Sequence, residues 1–242
     1  MSVHRFVEPD LDQAVAACAR HILTQLEQAL GGNSQATFAV SGGNSPKPVF
    51  EALAKSGFNW SKVQLFFVDE RCVPPTDPQS NYGMLDEIFI TRVHLPHSHV
   101  HRVHTEFEPH RAAEFYAGEI GSVFDLGPKE IPHFDLMHLG MGPDAHTASL
   151  FPGDPLIEDR EHIAAATLAA KFNQWRVTLL PAVILAARHT VVFAPGADKA
   201  EAMRAVLDGE FDPLRYPAQL PAHLGRGVSW FMDAPAARLL EA

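Results

Sequence analysis

Phe134–Pro152, FDLMHLGMGPDAHTASLFP, is the stretch from which the organisation of the chain can be read. Phe134 to Leu139 carry the apolar pattern of a short buried strand, which breaks at Gly140. Gly142, Pro143 and Asp144 follow as turn-forming residues and deliver His146, Thr147 and Ser149 ahead of Leu150-Phe151-Pro152. A strand that ends in glycines and then presents a titratable group is how open α/β sheets place chemistry at their carboxyl edge. His146 is therefore the candidate catalytic base.

Outward towards the amino terminus, Leu11, Val15, Cys18, Ile22, Leu26 and Leu30 recur at threes and fours. They mark one face of a helix over 10–30, ended by Gly31-Gly32. Thr37–Val40 is a short apolar strand running into SGGNSP, where Ser45 and Pro46 read as the N-cap and first turn of a helix burying Val49, Phe50 and Leu53. Val63–Val68 is a strand of the kind buried on both faces, and it stops at Asp69-Glu70-Arg71. Beyond Pro74, Pro75 and Pro78, a helix begins at Ser80-Asn81 and carries Met84, Leu85 and Ile88; Val100–Val103 is a strand, and Ala113, Tyr116, Ile120 and Phe124 mark another helix.

Towards the carboxyl terminus, the pattern predicts strands over 162–168, 190–194 and 228–232. It predicts helices over 181–188 (started from Thr178), 197–207 and 235–240. Strands alternating with helices imply an α/β fold, a mostly parallel sheet with helices on both faces. No internal repeat or long linker divides the chain, so a single domain over residues 1–242 is expected.

The net charge of −10 argues against a general nucleic-acid binder. No apolar run approaches a membrane span, and MSVHRFVEPD lacks the layout of a signal peptide. Cys18 and Cys72 are too few for a disulfide framework, which points to a reduced, cytoplasmic protein.

In a parallel sheet the loops at 41–45, 69–71 and 142–146 converge on one edge. Gly42-Gly43 before a helix start reads either as an anion cradle or as a plain strand-to-helix turn. Asp69-Glu70-Arg71 reads either as a solvated strand end or as part of a site. Lys199, in the first turn of a helix after Pro195-Gly196, is mismatched to the helix dipole unless an anion lies beside it. His94, His97, His99, His101 and His104 straddle Pro96 and match no ligand spacing on one helix face, so no metal site is assigned. Gly140–Ala145 satisfies the dinucleotide pattern G-x-G-x-x-A, but Pro143-Asp144 makes a different turn the better reading.

SGGNSP, FFVDERCVP with Ser80-Asn81, FDLMHLGMGPDAHTASLFP, RVTLLPAVILAAR and GADKAEAM occur in the order seen in 6-phosphogluconolactonases, which the chain resembles from about Phe6 onward. The resemblance implies the Rossmann-like fold shared with glucosamine-6-phosphate deaminase and ribose-5-phosphate isomerase. It also implies hydrolysis of 6-phospho-D-glucono-1,5-lactone without a required cofactor. The expected partner is that small phosphosugar lactone, and the chain is expected to be a monomer or weak homo-oligomer, a state the sequence itself does not fix. On that reading Gly42, Gly43, Asn44 and Ser45 donate to the phosphate, and Arg71 and Lys199 supply charge. His146 activates water, amides near Gly142 hold the oxyanion, and Asp69 orders sugar hydroxyls. Asp144 orients the loop and Arg176 is a further substrate contact.

A hexosamine-6-phosphate deaminase or isomerase is the nearest rival, although HTASLFP favours the lactonase. A sugar-phosphate-binding regulator without catalysis is the other. One departure stands out: Ala145 occupies the place of a glycine usual in the family. Either it adopts a positive φ, at a cost of about 1 kcal/mol or more, or it has ordinary dihedrals and its methyl narrows the pocket.

Overall fold

The computed structural model describes residues 3–241. A seven-stranded, wholly parallel sheet runs in the order β1 (Val3–Glu8), β10 (Val228–Asp233), β9 (His189–Phe193), β6 (Leu136–Gly140), β2 (Ala36–Val40), β3 (Val63–Phe67), β5 (Val100–His101). One face packs against α1 (Leu11–Gly32), α2 (Lys47–Ala54) and α3 (Asn81–Leu85), the last prolonged by a π-helical turn over Asp86–Ile90. The other packs against α4 (Pro109–Val123), α5 (Pro181–Ala186), α6 (Ala200–Leu207) and α7 (Ala234–Ala237). Phe38, Val40, Leu65, Phe67, Val191 and Phe193 point to the first layer, and Ala39, Phe66 and Val192 to the second. That alternation explains why the central strands read as unbroken apolar runs.

A second sheet, antiparallel throughout, has the order β4 (Asp69–Arg71), β8 (Gln174–Leu179), β7 (Ala164–Ala169). Val68 joins the two sheets. Its N–H donates to Val40 in the parallel sheet at 2.9 Å, and its carbonyl accepts from Leu179 of β8 at 2.7 Å. Beside it, the Tyr116 hydroxyl donates to the Phe67 carbonyl (2.7 Å) and accepts the Phe67 N–H (2.8 Å), taking the place that the two-residue β5 leaves open.

Several boundaries differ from the sequence pattern. Thr178 lies inside β8 and does not start a helix; α5 starts at Pro181, whose fixed φ suits a first helical turn. Helix α1 continues through Gly31-Gly32 to a cap at Asn33, and the closing helix ends at Ala237. The span 197–207 splits into a 3₁₀ turn, Ala197–Lys199, and α6. Among the described residues no helix is long and apolar enough to cross a membrane.

Candidate functional site

Strand order runs one way from β2 through β3 to β5 and the other way from β6 through β9 to β10. The reversal between β2 and β6 opens a crevice at their carboxyl ends, as open α/β sheets require. A cavity of about 190 Å³ lies there, lined by residues 41–46, Asp69, Arg71, Asn81, 140–143, His146, Ala148, Arg176, Phe193 and Lys199. A larger, mostly apolar cleft of about 790 Å³ lies beyond Asp144, lined by Phe151, Leu156, Leu168 and Trp175, and contains none of Arg71, Arg176 or Lys199.

After β2, Ser41 donates to the His138 carbonyl, and the amides of Gly42, Gly43, Asn44 and Ser45 donate to no other group among the described residues. Gly43 has φ +98°, and a Cβ on Gly42 would lie 2.1 Å from Asn81 Oδ1. These two glycines answer to a backbone turn and a close approach respectively. Ser45 does not cap the helix as expected: α2 begins at Lys47, its N-cap is Pro46, and no side chain bonds there.

Asp69 and Glu70 are buried, which removes the solvated strand end as a reading. Glu70 accepts the amides of Arg71, Asn81 and Tyr82 at 2.7–2.8 Å and the Ser80 hydroxyl at 3.1 Å, so it anchors the start of α3. Burial pushes its carboxyl up and these amides pull it back, with a net rise. Arg71 faces Arg176 across the β4–β8 ladder. Arg71 Nη1 donates to the Gln79 carbonyl at 2.7 Å. Lys199, 9% exposed, pairs with Asp198 at 3.0 Å.

His146 Nδ1 meets Asp144 Oδ1 at 2.5 Å, and its ring lies 4.5 Å from that of Phe151. Lys171 Nζ stands 3.4 Å from the second oxygen of Asp144. The hydrogen bond from His146, opposed by partial burial and aided by Lys171, holds the Asp144 carboxyl well below the usual carboxylate range. Gly142 has no room for a side chain: a Cβ would sit 2.1 Å from His146 Nδ1 and 2.6 Å from Asp144 Oδ1. Its N–H donates to the His146 carbonyl at 2.9 Å and is thus not among the unpaired amides.

Ala145 has φ +63° and is fully buried, with its N–H on the Gly142 carbonyl. The strained reading therefore applies, and the methyl lies in the core, outside the crevice lining. No helix follows Gly140, as a dinucleotide fingerprint would demand.

Three crevice contacts escaped the sequence reading as individual residues. Ser149, fully buried, donates to Asp69 Oδ2 at 2.6 Å. Asn81 donates to the Asp69 carbonyl at 2.8 Å. Phe151 and Phe172 flank the Arg176 guanidinium. Of the five clustered histidines, His101 is occupied by Glu119 and Gln64, each at 2.7 Å.

Fold and site define a class: open-sheet α/β proteins with a small, cation-lined crevice at the strand-order reversal. The chain belongs to the glucosamine-6-phosphate isomerase/6-phosphogluconolactonase family, whose model matches residues 9–230. It is 37% identical to a 6-phosphogluconolactonase of Homo sapiens over 231 residues, 94% of this chain and 86% of that one. It is 35% identical to a 6-phosphogluconolactonase of Synechocystis sp. over 216 residues, 89% of each. Its fold is similar to the solved 6-phosphogluconolactonase of Trypanosoma brucei, with a TM-score of 0.88, 27% identity and 99% of both chains covered.

Proposed function

We propose that this chain hydrolyses 6-phospho-D-glucono-1,5-lactone to 6-phospho-D-gluconate, the second step of the oxidative pentose phosphate pathway, as a single-domain cytoplasmic enzyme. The observation that carries the reading is one crevice holding a carboxylate-paired histidine together with Arg71, Arg176 and Lys199. The crevice lies at the strand-order reversal, where open α/β sheets bind small ligands, and three cations line it.

Neutral His146 donates from Nδ1 to Asp144, which leaves Nε2 to take a proton from the water attacking C1. The imidazolium so formed is stabilised by the Asp144 carboxylate and returns the proton to the departing ring oxygen. Arg71 and Lys199 meet the phosphate with the free amides of residues 42–45, arginine as a fork and lysine as a point charge. Asp69, Arg176 and Asn81 face the sugar and its phosphate from the β4 side.

Freshly made lactone, followed against its spontaneous opening, tests this directly. An enzymatic excess rate supports the lactonase. Ammonia release from glucosamine 6-phosphate would support a deaminase instead, and binding without turnover of either compound a regulator.

A further inference from the structure

A buried guanidinium is ordinarily saturated with acceptors, yet Arg176, only 7% exposed, is not. Its Nε has no partner among the described residues. Its Nη2 reaches Gln174 Oε1 only at 3.4 Å, and Nη1 stands 3.9 Å from Asp69 Oδ2. A movement of about 1 Å would bring Asp69 into a full ion pair with it.

What opposes that movement is visible in the same network. The Ser149 hydroxyl donates to that same Oδ2 at 2.6 Å, and Asn81 holds the Asp69 carbonyl at 2.8 Å. Ser149 is itself fixed, its N–H donating to Thr178 Oγ1 at 3.2 Å, and Thr178 is the ladder partner of Asp69.

We propose that Ser149 is a positioning residue that tethers Asp69 away from Arg176, keeping the guanidinium unpaired for the anionic end of the substrate. The inference rests on the sugar-phosphate reading of the crevice. Without the hydroxyl, Asp69 swings onto Arg176, and in so dry a place the pair is strong enough to compete with phosphate.

The test is the affinity for inorganic phosphate, by titration calorimetry, of the wild type, Ser149→Ala, Asp69→Asn and the double variant, with steady-state kinetics alongside. Ser149→Ala should weaken phosphate binding by about tenfold or more, as for one lost charge-assisted hydrogen bond. It should raise KM more than it lowers kcat. In the double variant residue 69 is uncharged, so affinity should return to within about threefold of Asp69→Asn alone. A role in packing only would weaken both backgrounds alike and overturn the tether.

A wild type that binds no phosphate sinks the crevice reading and the tether together. Wild-type binding that Ser149→Ala leaves unchanged sinks the tether alone. Should Ser149→Ala not fold, Ser149→Cys keeps the volume with a weaker donor; unaltered phosphate affinity there is equally fatal.

Discussion

Arg71 and Arg176 are directly opposed in the antiparallel ladder of β4 and β8. Like charges in that relation repel. Burial first, and the facing Arg71 in addition, lower the Arg176 guanidinium from its ordinary value against the pull of Asp69. A phosphate dianion in the crevice reverses the sign of that relationship. Arg71→Ala is expected to lower kcat/KM for the phosphorylated lactone by about 10–10² and to leave the unphosphorylated lactone nearly unaffected. Equal losses for both substrates would remove Arg71 from the phosphate.

His146→Ala should lower kcat by roughly 10²–10⁴, the range for losing a general base. Single-turnover rates on fresh lactone are the measurement, and a loss under about tenfold excludes His146 from that role.

Gly142→Ala should be nearly as damaging although it replaces no reacting group. The added methyl would occupy the space where His146 Nδ1 and Asp144 Oδ1 meet, 2.1 and 2.6 Å away. We expect a folded protein by circular dichroism with kcat reduced by about 10² or more, because a small misplacement of a catalytic group suffices. Activity within a few-fold of wild type would mean that the pair is not needed in this geometry.

Ala145→Gly should be close to neutral for stability. Relief of the positive φ gains about 1–2 kcal/mol. Removal of a buried methyl costs about 0.8 kcal/mol, and the freer unfolded chain costs about 0.5–1 kcal/mol more. Denaturant titration should therefore show a change within about 1 kcal/mol, and a larger gain would mean that the methyl packs poorly.

His138 sets an acid limit on stability. It lies fully buried in β6 beside Phe50, and neither ring nitrogen has a hydrogen-bond partner among the described residues. Burial pushes its imidazole down to about 4. The unfolded chain binds the proton more readily, so this contribution is complete above the ordinary histidine value of about 6.5 and is lost as pH falls towards 4. The loss should be on the order of 3 kcal/mol. Unfolding titrations of His138→Phe between those limits should show a flatter pH dependence, and an unchanged slope would assign the effect elsewhere.

The central strands were legible because burial on both faces leaves unbroken apolar runs, as in Val63–Phe67. Edge strand β1 was not, since its Phe6 and Val7 are substantially exposed and no periodicity marks a core. Nor was β4 legible as a strand. Asp69, Glu70 and Arg71 pair as a strand with β8, a segment more than 100 residues away, so no local signal could announce them. The glycine loops and His146 announced themselves through turn chemistry. Ser149 and Asn81 did not, because a buried hydroxyl or amide takes its meaning from the partner folding brings to it.

Val68 is the point where one continuous segment leaves the parallel sheet and enters the antiparallel one. The unpaired amides of residues 42–45 lie in the loop that follows β2 of the first sheet, and Arg71 and Arg176 lie in strands of the second. A ligand held by both groups spans the seam between two sheets that meet at Val68. Its binding therefore resists their separation, and amide exchange in β7 and β8 should slow when the crevice is filled.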